Sequence, residues 1–184
     1  MSSKRKKVTV NTINNVRLWK GFYAAILFIG LILAVFEVTI YQSTVINVFI
    51  PISITGFVGF IAFWFNKNHY NKIYMLNGNF FPLLNNVFSW GFITCYIFMA
   101  VNYYFPDHEI TIYKFPIVEK SSMSGGKGNR EKRQPLVRID YFGVEKELVF
   151  GYSNTHKVDK ADSVQVTVRK GKLGFDVFEH YNVL

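Results

Sequence analysis

The chain has 184 residues, 50% of them hydrophobic and 18% aromatic, and carries a formal net charge of +9. The charge is uneven: residues 1–105 hold one acid, Glu37, against eight Lys and Arg, while residues 106–184 hold eleven acids against thirteen bases, so +7 of the excess lies in the first part and +2 in the second. That distribution argues against a nucleic-acid surface, which gathers Lys and Arg on a folded face that tracks phosphates, and the single Cys95 excludes an intrachain disulfide.

Residues 1–20 form a basic tail whose Lys4, Arg5, Lys6 and Lys7 are expected to contact anionic lipid headgroups, at about 1 kcal/mol per charge near the surface. The apolar run GFYAAILFIGLILAVFEVTIY, residues 21–41, is the first expected span. A cleaved signal peptide has the same basic-then-apolar order, but here the basic region is long, the apolar run is longer than such peptides carry, and the nearest small-residue site, Ala34-Val35-Phe36, ends on a bulky side chain. The second span, VINVFIPISITGFVGFIAFWF at 45–65, has Pro51 near its start, where a missing N–H costs least. Ser53, Gly56 and Gly59 recur every third residue and Gly30 and Ala34 form a small pair on the first helix, so these five are the expected helix-packing residues. The third span, LLNNVFSWGFITCYIFMAVNYYF at 83–105, has no charge, and at about 1.5 Å per residue it reaches roughly 35 Å, enough for a hydrocarbon core of about 30 Å.

All eight Lys and Arg of this part flank the amino-terminal side or the connection 66–82, and none flanks the other side. The bias predicts a cytoplasmic amino terminus in the plasma (inner) membrane, and an odd number of spans then puts the carboxy-terminal module outside the cytoplasm. Trp19, Tyr23 and Trp64 fall near one boundary and Tyr41, Tyr103 and Tyr104 near the other, as interfacial belts do. Glu37 is the one acid inside a span and hence a candidate ion or proton site, although it lies four residues from the expected helix end, within reach of interfacial water. Asn47, Asn86 and Asn102 are the polar side chains that would otherwise partner it.

From Glu109 the pattern changes to period two, the spacing of strands. Ile110 and Ile112 share a face, and Phe115 and Ile117 follow in the opposite phase beside Pro116, which predicts a bulge or an edge there. Residues 119–134, EKSSMSGGKGNREKRQ, are poor in apolar side chains and rich in glycine, and predict a mobile loop. Alternation resumes at Val137, Ile139 and Tyr141, Gly143 turns the chain into 144–150, and after a polar loop at 151–162 the valines 164, 166 and 168 alternate cleanly before a last strand at 175–183. Five short strands in residues 106–184 predict a small antiparallel module, an OB- or SH3-like barrel or sheet.

Chemistry is sparse. Gly125-Gly126-Lys127-Gly128 lacks the glycine at Ser121 and the hydroxyl at Gly128 that a phosphate loop requires. His156, Asp159 and Asp162 lie three apart in an expected loop, a spacing that gathers ligands only on a helix. No serine or cysteine sits in a nucleophile pattern. In layout, a helical membrane part followed by a compact β module resembles several bacterial membrane-protein families, including the NfeD type, a resemblance of architecture that carries no functional residues. The expectation is a non-catalytic integral membrane protein without cofactor or metal: an accessory or scaffold subunit of a cell-envelope complex, in contact with lipids and with other membrane or envelope subunits or itself. Arg169, Lys170 and Lys172, at or beside an exposed turn, are the expected partner contact. The alternative is a transporter or channel subunit with Glu37 in the path.

Overall fold

The computed structural model describes the backbone of residues 2–124 and 133–184, with side chains from Asn15 onward. Three helices are long and apolar enough to cross a membrane: α1 (Ser2–Ser43) over Asn15–Ser43, α2 (Phe49–Tyr74) and α3 (Phe80–Tyr104). Their ends differ from the sequence expectation. The described part of the basic tail is helical and continuous with α1, and the second span begins at Phe49 and runs on to Tyr74, well past residue 65. Polarity ends an apolar run, but it does not end a helix. Residues 66–74 contain no Gly or Pro, and Tyr70 and Ile73 stay buried, so the helix continues until Met75 takes the left-handed conformation and donates its N–H to the Asn71 carbonyl. Pro51 falls in the first turn of α2, where its missing N–H is not needed.

The chain divides into two compact units, one made of residues up to Ile40 with Val48–Ala100, the other of Tyr41–Asn47 with Val101–Leu184. The expected boundary at residue 105 is thereby corrected. The connection between α1 and α2 and the last turn of α3 belong to the β unit.

Five antiparallel strands form that unit: β1 (Ile110–Ser124), β2 (Arg133–Tyr141), β3 (Val144–Val149), β4 (Ser163–Lys170) and β5 (Asp176–Val183), in the order β3-β2-β1-β4-β5. The long β1 changes partner along its length. Residues up to Pro116 pair with β4, residues from Ile117 pair with β2, and the register slips between Ile117 and Glu119. Proline has no amide hydrogen to continue a ladder and a bulge bends the strand, so the sheet curls there into a half-barrel. The ends of the expected mobile loop are strand: Glu119 to Ser124 of β1 pair with Arg138 back to Arg133 of β2, so that Met123 and Ser124 face Gln134 and Arg133, and residues 125–132 lie outside the described residues.

The concave face holds the core. Val137, Ile139 and Tyr141 from β2, Leu148 from β3, Val164, Val166 and Val168 from β4 and Phe178 from β5 pack around Phe115, at the bend of β1. The expected polar loop at 151–162 instead contains a short helix, Thr155–Lys160, whose Val158 is 1% exposed and joins the core. Phe142 and Gly143, with φ of 50° and 87°, make the two-residue turn between β2 and β3, and Asp140 Oδ1 accepts the Gly143 N–H at 2.7 Å. On β1, Ile110 and Ile112 face outward and are exposed.

The two faces of the sheet give opposite expectations for one substitution. Val166→Asp puts a carboxylate into a site with no exposed surface and costs several kcal/mol, comparable with the roughly 5 kcal/mol stability of a small domain, so the unit unfolds. Ile112→Asp, on a half-exposed outward position, changes protease resistance little. Limited proteolysis of the two variants in detergent measures the contrast, and equal resistance would mean that the register is inverted.

Candidate functional site

In the first unit, one glycine from each helix brings the backbones together. Gly30 of α1 lies against the Phe88 carbonyl and the Ser89 Cα, Gly59 of α2 against the Val87 Cα, and Gly91 of α3 against the Thr55 carbonyl; a methyl group added to Gly59 or Gly91 would lie 2.6 or 2.5 Å from its neighbour. Gly30 and Gly59 pack as expected, and the other three expected packing residues divide differently. Ala34 is half-buried, whereas Ser53 and Gly56 are exposed and nothing lies near Gly56. A three-residue step turns a helix by about 300°, so each repeat slips about 60° and Ser53, Gly56 and Gly59 do not share a face.

The glycine contacts of α1 and α2 meet α3 at a π turn, Val87–Gly91. Such a turn disturbs the i→i−4 ladder, and in hydrocarbon the freed carbonyls need other donors. Side chains supply them: Asn86 Nδ2 donates to the Pro82 carbonyl at 2.7 Å and Ser89 Oγ to the Asn85 carbonyl at 2.5 Å. Asn86 Oδ1 also accepts from Asn66 Nδ2 of α2 at 3.1 Å. Asn86, expected as a partner for Glu37, therefore serves the backbone of α3 and a side chain of α2.

Glu37 meets Cys95. The Cys95 thiol is fully buried and donates to Glu37 Oε1 at 3.0 Å, with the Pro51 carbonyl 3.4 Å from the sulfur. Glu37 is half-buried and six residues, roughly 9 Å of helix, from the end of α1. Nothing in the sequence spacing pairs these two residues, because they lie 58 positions apart. Asn47 is exposed in the connection between α1 and α2.

The third expected intramembrane residue, Asn102, belongs to the β unit. It is fully buried in the last turn of α3, and its carboxamide clasps the turn between β4 and β5. Oδ1 accepts from the Leu173 and Phe175 amides at 3.1 and 3.3 Å, and Nδ2 donates to the Phe175 carbonyl at 3.1 Å. The carboxamide lies so close over Gly171 that no Cβ fits there.

A second clasp forms on Lys146 of β3. Glu145 and Glu147 face outward, whereas Lys146 points to the concave side and is 8% exposed. Its ammonium donates to the Thr44 carbonyl at 2.5 Å and the Tyr41 carbonyl at 3.3 Å, and lies 4.9 Å from the centre of the Tyr41 ring. Thr44 forms an antiparallel bridge with Val177, and the Val45 amide donates to the Asp176 carbonyl at 2.8 Å. Residues 44–45 are thus a short added strand on the outer edge of β5. Asp176 also accepts the Tyr141 hydroxyl at 2.8 Å.

A cleft of about 510 Å³ opens beside the edge of β3, bounded by residues 41–43, by residues 145–149 and by Phe178 and Tyr181. On its rim Arg138 bridges Glu119 at 2.6 Å and Glu147 at 3.0 Å, and the two carboxylates raise its pKa. The expected contact Arg169, Lys170 and Lys172 is less uniform than its sequence suggests: Arg169 is ion-paired to Glu179 at 2.8 Å, while Lys170 and Lys172 are exposed. The side chains of Lys4, Arg5, Lys6 and Lys7 lie outside the described residues. Near the same end of the helices, Tyr23 and His69 share a hydrogen bond of 2.9 Å, and Lys20 lies 5.6 Å over the Tyr74 ring. Among the described residues no three His, Cys, Asp or Glu side chains converge as metal ligands. Sequence reasoning missed the cleft and Lys146, whose only signal was a cation in phase with the buried residues of β3.

Comparison with protein-family descriptions, curated proteins and solved structures gives no match for this chain.

Two outcomes follow from the clasps. Asn102→Leu keeps the side-chain volume but removes the Oδ1 acceptor of the Leu173 and Phe175 amides and one of the two donors to the Phe175 carbonyl, which also takes the Gly171 amide at 2.9 Å, a loss of about 2–4 kcal/mol that should appear as a lower Tm and earlier proteolysis within residues 170–175. Lys146 carries a pH signature. Burial pushes its pKa below the ordinary 10.5, so between the folded and unfolded values the unfolded chain binds more protons and stability rises with pH across that window. Burial raises the Tyr141 and Tyr181 hydroxyls above their ordinary 10.0, with Asp176 adding to the shift of Tyr141, so their contribution is full below that value and is lost as pH climbs through their raised folded values. Both effects act in the native protein, but only the first disappears in Lys146→Met. The Tm of the native protein minus that of Lys146→Met should therefore increase as pH rises towards the ordinary lysine value of 10.5, and a constant difference would contradict the buried ammonium.

Proposed function

We propose that this chain is a non-catalytic integral membrane protein, an accessory or scaffold subunit of a cell-envelope complex, in which the three helices anchor and the β unit contacts a protein partner. The observation that carries this reading is the open half-barrel: among the described residues β3 pairs with β2 alone, and β5, beyond its ladder with β4, with a single bridge at Thr44, so both end strands retain main-chain groups suited to recognition. The eight-to-zero bias of Lys and Arg supports a cytoplasmic amino terminus, a plasma-membrane location and an extracytoplasmic β unit. The partner is another membrane or envelope subunit, or a second copy of the chain, rather than nucleic acid.

The contact between Glu37 and Cys95 favours a second reading, a transporter or channel subunit whose path includes that carboxylate. One set of experiments separates the two. A photo-crosslinking residue at Lys172 or Glu147 is expected to give a discrete protein adduct in cells, and Glu37→Gln is expected to leave that adduct unchanged. Absence of an adduct from both positions would overturn the scaffold reading, and loss of substrate or ion flux in Glu37→Gln would establish the second. A reporter fused after Leu184 that behaves as cytoplasmic would overturn the orientation.

A further inference from the structure

The half-barrel has a seam, and its geometry is that of a missing strand. Successive antiparallel pairings from β3 to β5 leave those two end strands running in the same direction, so a strand antiparallel to both would complete an antiparallel closure. Residues 44–45 begin such a strand at one end, through the bridge from Thr44 to Val177 and the bond from the Val45 amide to the Asp176 carbonyl. At the other end the Tyr181 hydroxyl donates to the Val149 carbonyl at 2.8 Å, a side chain standing where a main-chain partner would be. Between these closures lie four residue steps of β5, roughly 13 Å of extended chain.

The edge of β3 is chemically defined. A two-residue turn makes Tyr141 and Val144 a hydrogen-bonded pair, and the Phe150 amide donates to the Pro135 carbonyl at 2.9 Å, so the alternation directs the amides of Val144, Lys146 and Leu148 to β2 and those of Glu145, Glu147 and Val149 outward. The charges of the cleft do not select an ion. Arg138 is held by Glu119 and Glu147, Lys146 is held by two carbonyls, and the four charges at 138, 145, 146 and 147 cancel. What remains to recognise is main chain.

We propose that the seam between β3 and β5 is a strand-acceptor slot, in which an extended segment of a partner polypeptide, about four residues long, adds antiparallel to β3. This deepens, and rests on, the reading that the β unit contacts a protein. The occupant's identity is set by backbone geometry, with alternate side chains directed to the concave side beside Leu148 and Phe178.

The test uses the full chain, isotopically labelled in detergent micelles, with an acetylated heptapeptide of alternating threonine and valine as the probe and the same peptide N-methylated at every second residue as its control. The unmethylated peptide should shift the amide resonances of Glu145, Glu147 and Val149 while leaving Lys146 and Leu148 in place, a period-two pattern that no side-chain contact reproduces. Methylation should weaken binding about tenfold or more, as loss of main-chain hydrogen bonds requires. Glu147→Pro, which removes an outward amide without touching the ladder to β2, should abolish the shifts, Glu147→Ala should retain them, and Tyr181→Phe, which frees the Val149 carbonyl, should strengthen binding. Equal binding of both peptides, shifts without alternation, or no shift at millimolar peptide would overturn the slot, as would shifts that follow protein concentration alone, which would assign the edge to a second copy. The scaffold reading fails separately, by the absence of crosslinks in cells.

Discussion

β1 changes partner at Pro116, and the shape of the β unit follows from where that change falls. Before it β1 is laddered to β4, after it to β2, and the slip between Ile117 and Glu119 turns the strand through the change. Phe115, one residue earlier, points into the concavity that the bend creates and meets side chains from both halves of the sheet. A straight strand of the same length would leave two flat hairpins with no common core. The bend thus makes the core, and by curling the sheet it also sets β3 and β5 on the two sides of a seam that the chain closes only at its ends.

A second constraint runs through both units: at several places where the backbone leaves a regular ladder, a polar side chain takes the vacant position. Asn86 and Ser89 satisfy carbonyls around the π turn of α3, Asn102 holds the amides of the turn between β4 and β5, Lys146 caps two carbonyls at the end of α1, and Tyr181 caps Val149. In lipid or in a small core, an unpaired peptide group costs more than the net value of the bond that would satisfy it. That asymmetry explains why these residues occupy positions that an apolar side chain of similar size would fill. It also separates Glu37 from the rest. Its carboxylate meets a thiol and not a backbone group, which leaves it the one intramembrane acid without a structural duty of this kind.

Much of the architecture was legible because two periodicities differ so plainly. Long apolar runs with a single charge, Glu37, among them marked the three spans, and alternation at Val137, Ile139 and Tyr141 and at Val164, Val166 and Val168 marked faces that are buried as expected. The limits were physical. The polar residues 66–74 hid the continuation of α2, since helix formation needs no apolar composition once a helix is under way. The ribbon at Glu119 to Ser124 is exposed on both faces, so it has no alternation to detect. Asn102 illustrates a harder limit: a carboxamide at a helix end has the same sequence signature whether it faces an intramembrane acid, water or a turn 71–73 residues away. The same holds for Cys95 beside Glu37, and for Lys146, whose inward phase is visible but whose carbonyl partners are not.

Among the described residues β3 ends the sheet with an outward edge that no main chain pairs. Amide hydrogen exchange of the free protein, resolved residue by residue in micelles without any added peptide, tests it most directly. Slow exchange is expected at Lys146 and Leu148, whose amides face β2, interleaved with exchange faster by orders of magnitude at Glu145 and Glu147. Uniform protection along 144–149 would contradict it, because it would mean that a backbone partner already covers the edge and that the half-barrel is closed.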